Sequence, residues 1–395
     1  MDMLVVFITG FNGHTSAMAD ALYNRLYNNF IFIDDGKVRK QYGRQDFTAS
    51  NANIYGNRPY IIRLNESDSV LAKVRQLIYD ADVLLAGGEP FELVRDRILG
   101  NKLTFRLGER SMKGPLWKDL IRIVKLKSHY DRYSRPNYRK LSLSGYDAND
   151  MRLCNKSYRD KCYNFAYFNQ IPSIGIEDIM HNKHQDKLTM VWCSRFIDWK
   201  HPEMPVLLAK KLVESGRSNF EIQMIGSSTT PLWHKIKQSI ERYNLSNHIN
   251  LTGAIPNNEV LERMRESNVF IFTSDRGEGW GVALNEAMSS GCACVASHEI
   301  GSVPTLIKNG TNGLIFKSRS VESLFEKVVR LYDNPQLCVQ YGRNAYKTIT
   351  EDWSVQHSVD RLIQLAESIL NGRETSFADG PCSKARPINP HTLVL

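Results

Sequence analysis

The stretch Thr273-Ser-Asp-Arg-Gly-Glu278-Gly-Trp-Gly281-Val-Ala-Leu-Asn-Glu286-Ala-Met-Ser-Ser-Gly291 decides how this chain folds. The apolar run ending at Thr273 predicts a buried strand, the polar Gly-rich segment a turn, and residues 281–290 a helix that stops at Gly291. Strand, turn and helix in that order form the repeating unit of a parallel α/β sheet. Free amides around Gly279, Trp280 and Gly281 would lie at the helix N-terminus, where donors and dipole favour an anion such as a pyrophosphate. Glycine at 279 and 281 lets a ligand come close to the backbone. Glu278 precedes the helix and Glu286 sits on its second turn, so the two carboxylates can face one ligand at different points. By itself the pattern also fits a Gly-rich turn with two solvated glutamates.

The same alternation extends in both directions. In the second half, strands are expected at 189–193, 220–225, 249–252, 269–273, 293–296 and 313–316, with helices at 203–215, 231–243, 257–266, 302–308 and 320–333. The first 110 residues repeat it, with strands at 4–9, 30–33, 60–63, 83–86 and 103–107 and helical spacing at 16–27, 67–79 and 90–99. Residues 111–170 are basic, rich in Tyr and without clear period. The expected organisation is α/β, with two doubly wound Rossmann-like domains at 1–172 and 188–350 joined by a polar linker at 173–187. A last helix over 351–372 would return to the first domain, and the tail 373–395 would be loose. Ligands of such sheets sit at the carboxyl ends of the strands, so two facing domains would enclose a cleft.

Composition excludes several other classes. The 395 residues are 42% hydrophobic and 24% charged, unlike a disordered, collagenous or disulfide-scaffold chain. No apolar run approaches the roughly 20 residues needed to cross a bilayer. The seven cysteines form no CxxC and have no His at metal-ligand spacing, which argues against zinc and for reduced thiols in a cytoplasm. The formal net charge is +9, and residues 91–140 carry all of it, with fourteen Lys/Arg against five acids.

Glu278 and Glu286 have the Glu-x7-Glu spacing of the retaining family 4 (group 1) glycosyltransferases of GT-B fold, and the second half resembles that family in order. The likeness runs through Ser194-Arg195-Phe-Ile-Asp-Trp-Lys200, Met224-Ile225-Gly226 and Leu251-Thr252-Gly253. It continues past Gly291 into Cys292-Ala-Cys-Val295-Ala296-Ser297, Gly301-Ser-Val-Pro304 and Asn309-Gly310-Thr-Asn312-Gly313-Leu314. The resemblance implies that Glu278 contacts hydroxyls of the donor sugar and that Glu286 binds the ribose of the nucleotide. It implies that Arg195 and Lys200 neutralise the diphosphate leaving group, a role preorganised cations suit because negative charge develops there in the transition state. Gly279, Trp280, Gly281 and Val282 would line the donor, with Trp280 either packing on the sugar or closing the helix–sheet interface. No cofactor or metal is expected beyond the nucleotide-diphosphate sugar as co-substrate, since Arg195 and Lys200 can supply the charge of a divalent cation.

In the first half, Gly10-Phe-Asn-Gly13-His14 follows the first strand, where the family has a Gly-containing loop near the donor phosphates. His14 is a candidate site residue or a solvated loop histidine. Gly87-Gly-Glu89-Pro90, Asn101-Lys-Leu-Thr-Phe-Arg106-Leu-Gly-Glu109-Arg110 and Lys161-Cys-Tyr-Asn-Phe-Ala-Tyr167-Phe168 are similar to a subset of bacterial surface-polysaccharide glycosyltransferases. Many relatives have a His where this chain has Glu109, which would accept the proton of the acceptor hydroxyl or orient the sugar, unless it pairs with Arg106 or Arg110. Trp117, Leu120, Ile121 and Val124 share one face of a predicted helix, with Lys118, Arg122 and Lys125 on the other. Such a helix can lie on an anionic membrane or bind a lipid-linked acceptor; an ordinary surface helix is the plainer alternative.

These expectations describe a retaining, metal-independent glycosyltransferase. It would move a sugar from a nucleotide-diphosphate donor to a surface polysaccharide, lipopolysaccharide or lipid-linked glycan, peripherally at the inner face of the cell membrane. A non-catalytic nucleotide-binding GT-B module is the alternative. A nucleic-acid-binding protein would explain the charge but not the second half, so no nucleic acid is expected as a partner.

Overall fold

The computed structural model describes residues 3–35, 56, 58–64, 68–87, 91–114, 116–169, 174–184 and 186–394. Gly88, Glu89 and Pro90, and Pro172 and Ser173, lie outside them. The chain divides into two compact units, one of residues 1–170 and 353–388, the other of residues 171–352 and 389–395.

The first unit holds β1 (Val5–Thr9), α1 (Gly13–Leu26), β2 (Phe30–Asp34), β3 (Ile61–Arg63), α2 (Asp68–Asp80), β4 (Val83–Gly87) and α3 (Phe91–Leu99). It continues with β5 (Thr104–Gly108), α4 (Leu116–Tyr133), β6 (Tyr138–Ser142), α5 (Asp147–Cys154) and β7 (Cys162–Asn164). Seven parallel strands run in the order β3-β2-β1-β4-β5-β6-β7. Val5 to Ile8 and Val83 to Ala86 are buried along their whole length, as central strands covered on both faces must be. α1 starts where Asn12 caps it: its Oδ1 accepts from the amides of His14 (2.9 Å) and Thr15 (3.1 Å), and Thr15 Oγ1 accepts from the Asn12 amide (2.9 Å).

The second unit opens with α6 (Ile176–His181), β8 (Leu188–Cys193), α7 (Glu203–Glu214), β9 (Phe220–Ile225), α8 (Pro231–Arg242), β10 (Ile249–Gly253) and α9 (Asn257–Glu266). It is completed by β11 (Val269–Phe272), α10 (Ala283–Ser289), β12 (Ala293–Ser297), α11 (Val303–Leu306), β13 (Gly313–Phe316), α12 (Val321–Tyr332) and α13 (Pro335–Lys347). Six parallel strands run in the order β10-β9-β8-β11-β12-β13. The last helix, α14 (Val355–Leu370), belongs to the first unit, capped by Ser354 and tied to α1 by Arg25 and Asp360 at 3.1 Å. The expected α/β class, two doubly wound Rossmann-like units, is what the chain adopts.

Three expectations are corrected. The polar linker 173–187 contains α6 and is anchored: buried Lys183 donates from Nζ to the carbonyls of Ser267 (2.6 Å), Arg265 (3.1 Å) and Ser290 (3.1 Å). The tail is not loose either. Cys382, Ser383 and Ala385 are buried, and residues 382–385 pair antiparallel with β7 through Cys382 N to Asn164 O (2.8 Å) and Ala385 N to Cys162 O (2.9 Å). That pairing covers an edge strand that would otherwise present open backbone groups.

The third correction concerns residues 111–170, which supply two strands of the first sheet that the periodicity does not show. β6 carries Arg139 and Lys140 into the sheet, and buried Lys140 is paired at 2.6 Å with buried Asp147. For α4 the sequence left two facings open, and the structure turns the predicted apolar stripe outward. Its inward side is Asp119, Ile123, Leu126 and Tyr130, while Trp117 (60% exposed), Leu120 (56%), Ile121 (52%) and Val124 (69%) face solvent. Asp119 is turned inward because its Oδ1 accepts the Gly114 amide at 3.1 Å and closes the turn before the helix.

Candidate functional site

In the second unit β8 and β11 are neighbours, although β9 and β10 separate them in sequence. The sheet is wound one way from β8 and the other way from β11, so the loops leaving their carboxyl ends flank the crevice where such sheets bind ligands. The loop after β8 carries Arg195, Trp199 and Lys200; the loop after β11 carries Ser274, Asp275 and Glu278. Two hydrogen bonds join these loops, Thr273 Oγ1 donating to Lys200 O (2.6 Å) and the Asp275 amide to Trp199 O (3.0 Å), and Trp192 Nε1 of β8 donates to Thr273 Oγ1 (2.8 Å).

The joined loops bring two expected site residues together. Lys200 Nζ donates to Oε2 of Glu278, the two side chains being 11% and 12% exposed, and the Ser274 hydroxyl donates to the same oxygen at 3.3 Å. The Lys200 ammonium also lies 4.4 Å from the centre of the Trp199 ring. Arg195 is exposed, its guanidinium 5.9 Å from the same ring. Lys200 reaches Glu278 from the loop of the neighbouring strand, 78 residues away, a pairing that local spacing cannot show.

The turn after Glu278 requires glycine at 281. Its φ is +89°, and a Cβ there would stand 2.6 Å from Cζ of Phe272. The helix begins at Ala283 with Val282 at the cap position and no side-chain cap, two residues later than expected. Glu286 is half-buried on α10, and burial together with its charge pushes the Cys193 thiol at the end of β8 up to about 12. Glu286 therefore lies near the strand end from which the Arg195 loop departs. Of the two roles open to Trp280, the structure matches the second: it is 1% exposed, and its indole donates to buried Asn285 at 2.9 Å. It closes the helix–sheet interface and offers no face to a sugar. Gly279 is buried beside it.

A second cluster in these loops has no signature in the sequence. Both ring nitrogens of His201 face carboxylates, Nδ1 toward Glu203 Oε1 at 2.8 Å and Nε2 toward Asp275 Oδ2 at 3.2 Å. The Asp275 and Glu203 hydrogen bonds raise the imidazole to about 9. Against its own burial, hydrogen bonds from His201, the Gly277 amide (2.8 Å) and Arg319 (2.5 Å) hold the Asp275 carboxyl down to about 2. The residues come from three separate loops, so no local spacing could have marked them.

In the first unit Gly13 is the first residue of α1, exposed and with open space around it. The amides of His14 and Thr15 next to it are occupied by Asn12. His14 is exposed at its edge. Nδ1 lies 3.3 Å from Asn169 Oδ1, and crowding lowers the imidazole while Asn169 and the charge of Glu109 act to raise it. His14 and Glu109 thus come close enough to interact. Glu109 pairs with Lys113, not with the two arginines considered; Arg106 turns to the Tyr130 hydroxyl and Arg110 to Asp150 at 3.6 Å.

The basic excess of 91–140 is partly internal. Arg97 is 1% exposed and donates to the carbonyls of Ala81 (2.6 Å), Leu103 (2.7 Å) and Ile78 (2.8 Å), while Lys140 is buried with Asp147. Lys118, Arg122 and Lys125 remain on the exposed surface of α4, beside its four exposed apolar side chains. The triplet Asp80-Ala81-Asp82, a type that can hold a divalent cation, stands where β4 begins, with Asp82 Oδ2 accepting the Leu4 amide at 2.8 Å. That is the end of the sheet opposite its carboxyl-end loops. No described helix is long and apolar enough to cross a membrane.

Residues 176–348 match the family described as glycosyl transferases group 1. An uncharacterised glycosyltransferase of Methanocaldococcus jannaschii is 26% identical over 202 residues, 51% of this chain and 50% of that protein. The lipopolysaccharide core biosynthesis mannosyltransferase LpcC of Rhizobium leguminosarum is 26% identical over 136 residues, 34% of this chain and 38% of that protein. The chain thus spans half or less of the length of these relatives. Among solved structures, the Anabaena protein HepE in complex with UDP superposes with a TM-score of 0.67 over 93% of this chain and 100% of that one, at 14% identity, a likeness of fold.

Proposed function

We propose that the chain is a sugar transferase that takes its sugar from a nucleotide diphosphate, a reading supported by the match of residues 176–348 to the family described as glycosyl transferases group 1. The observation that carries the proposal is the Lys200–Glu278 pair, held between the two loops at the switch point of the second sheet. In the transfer, the bond from the anomeric carbon to the β-phosphate oxygen breaks and the acceptor oxygen bonds to that carbon on the same face, with retention. The nucleoside diphosphate leaves with the bonding electrons, and the acceptor hydroxyl gives up its proton. Arg195 and Lys200 stabilise the charge on the departing diphosphate, in place of a metal. Glu278 holds hydroxyls of the sugar and Glu286 the ribose, with Gly279, Gly281 and Val282 shaping the turn against the donor. The first unit takes the acceptor, with Glu109 receiving the hydroxyl proton and His14 beside it.

The name of the Rhizobium relative supports a lipopolysaccharide or surface-polysaccharide glycan as acceptor. The intact Lys200–Glu278 pair favours an enzyme over a non-catalytic nucleotide-binding module. A thermal-shift screen against UDP-, GDP-, ADP- and TDP-glucose is expected to raise Tm with one base, since a ligand that binds only the folded state stabilises it. Turnover of that donor is expected to fall about 100-fold or more in Glu278→Gln. Unchanged turnover in that variant would overturn the site assignment.

We further propose that the enzyme works peripherally at the cytoplasmic face of a membrane. Four large apolar side chains standing outward on α4, with Lys118, Arg122 and Lys125 around them, favour an anionic bilayer over bulk water. Sedimentation with phosphatidylglycerol vesicles is expected to carry the protein down, and the doubly substituted Trp117→Ser, Val124→Ser chain to stay in solution. Equal sedimentation of both, or tighter binding to an oligonucleotide, would refute it.

A further inference from the structure

His201 directly follows Lys200 and has φ +51° and ψ 55°, a left-handed backbone that costs any residue with a Cβ and suits glycine. Arg319, on the loop after β13, is likewise left-handed at φ +62°. Their side chains converge on one carboxylate: Asp275 Oδ2 is 3.2 Å from His201 Nε2 and 2.5 Å from Arg319. Asp275 stands three residues before Glu278, and its own carbonyl accepts the Glu278 amide at 3.0 Å. Its other carboxylate oxygen accepts the Gly277 amide at 2.8 Å, in the turn between them.

We propose that His201, Asp275 and Arg319 form a positioning clamp that fixes the Glu278 loop against the Lys200 turn before any donor binds, a proposal that rests on the transferase reading above. The clamp acts through the Lys200–Glu278 pair. A histidine at a position that favours glycine is explained by its two carboxylate partners, which only a ring protonated on both nitrogens can serve as donor. The groups facing His201 are Glu203 from α7 and Asp275 from the loop after β11, while Arg319 reaches the same Asp275 and is itself near Glu299. Two cations thus bind the Asp275 carboxylate, and Glu203 balances the imidazolium from the other side. Loss of the imidazolium proton leaves one ring nitrogen without a hydrogen to donate, so one of the two loop contacts must open.

The test uses His201→Gly, which relieves the left-handed backbone and removes only the clamp. Amide hydrogen exchange of residues 274–281 in the unliganded chain at pH 7 is expected to be about tenfold or more faster in the variant, with Tm of the rest of the unit unchanged. With the nucleotide sugar found in the thermal-shift screen, kcat is expected to fall about tenfold or more while KM for the donor moves little, because the misplaced loop still binds but no longer aligns. The wild type is expected to lose kcat as pH rises through about 9, where His201 gives up its proton, and the variant to lack that limb. Unchanged exchange in 274–281, or a wild-type kcat with the same alkaline limb, would overturn the clamp. If the wild type turned over none of the four nucleotide sugars, the transferase reading would fall, and the exchange of 274–281 would still decide whether the clamp exists.

Discussion

The indole nitrogen of Trp280 donates to Oδ1 of Asn285 at 2.9 Å, and both side chains are buried between the Glu278 turn and α10. Trp280 is therefore a strut that fixes where α10 starts relative to β11. Phenylalanine would keep much of the packing and delete the donor, so the buried amide oxygen would lose this partner. We expect Trp280→Phe to cost about 1–3 kcal/mol and lower Tm by several degrees. Isothermal titration with the nucleoside diphosphate should show affinity changed less than twofold, because the ring does not face the ligand.

Gly281 and Gly310 are both left-handed, at φ +89° and +78°, but only Gly281 is crowded. A Cβ at 281 would meet the Phe272 ring at 2.6 Å, whereas nothing lies within 4 Å of one at 310. Gly310→Ala is expected to cost about 1 kcal/mol of backbone strain. Gly281→Ala adds a steric collision that must move Phe272 or the turn, and is expected to cost at least about 2 kcal/mol. Urea unfolding of the two variants measures the difference, and nucleotide binding should weaken only in the 281 variant.

Arg195 is exposed and makes its ring contact with Trp199 at a distance of 5.9 Å, so the folded unit depends little on it. Arg195→Ala is expected to leave Tm within about a degree of wild type, as surface substitutions do. Loss of a cation from the diphosphate is expected to weaken nucleoside diphosphate binding about tenfold and to flatten its dependence on salt. Titration calorimetry at two salt concentrations separates this from a folding defect.

The parts of the fold visible in the sequence are those written in local pattern. Runs such as Val5 to Ile8 and Val269 to Phe272 announce strands covered on both faces, and Gly-rich turns with Glu278 and Glu286 mark where one such strand feeds a helix. What escaped depends on distant partners. β6 reads as a charged segment because Arg139 and Lys140 are matched by Glu374 and Asp147, one of them 235 residues away. The stripe Trp117, Leu120, Ile121, Val124 was legible as a helical face, but periodicity does not say which face turns inward when a buried Asp119 caps the preceding turn. At the site, Lys200 and Glu278 were each identifiable from the resemblance. Their contact, and the convergence of His201 and Arg319 on Asp275, exist only once three loops are folded together.

Glu374 gathers the tail onto the first sheet, and it makes that attachment sensitive to acid. Its carboxylate accepts from the Tyr163 hydroxyl (2.5 Å), from Arg139 (2.9 Å) and from Lys384. Burial alone would raise this carboxyl; the hydrogen bonds from Lys384, Tyr163 and Arg139 overcome it and hold the group down to about 2. A carboxyl depressed in the folded state contributes stability that is full above its unfolded value of 4.5 and is lost as pH falls toward 2. Residues 374–385 should therefore detach from β7 as pH drops through that window. Peptic digestion at pH 4.5, 3.5 and 2.5 should show increasing cleavage of 374–385 in the wild type. Glu374→Gln, which cannot titrate, should be cleaved more readily than wild type at pH 4.5, and the difference between the two should shrink by pH 2.5. Equal cleavage of the two at all three pH values would mean that the tail is held by its backbone pairing with β7 and that the carboxylate contributes nothing.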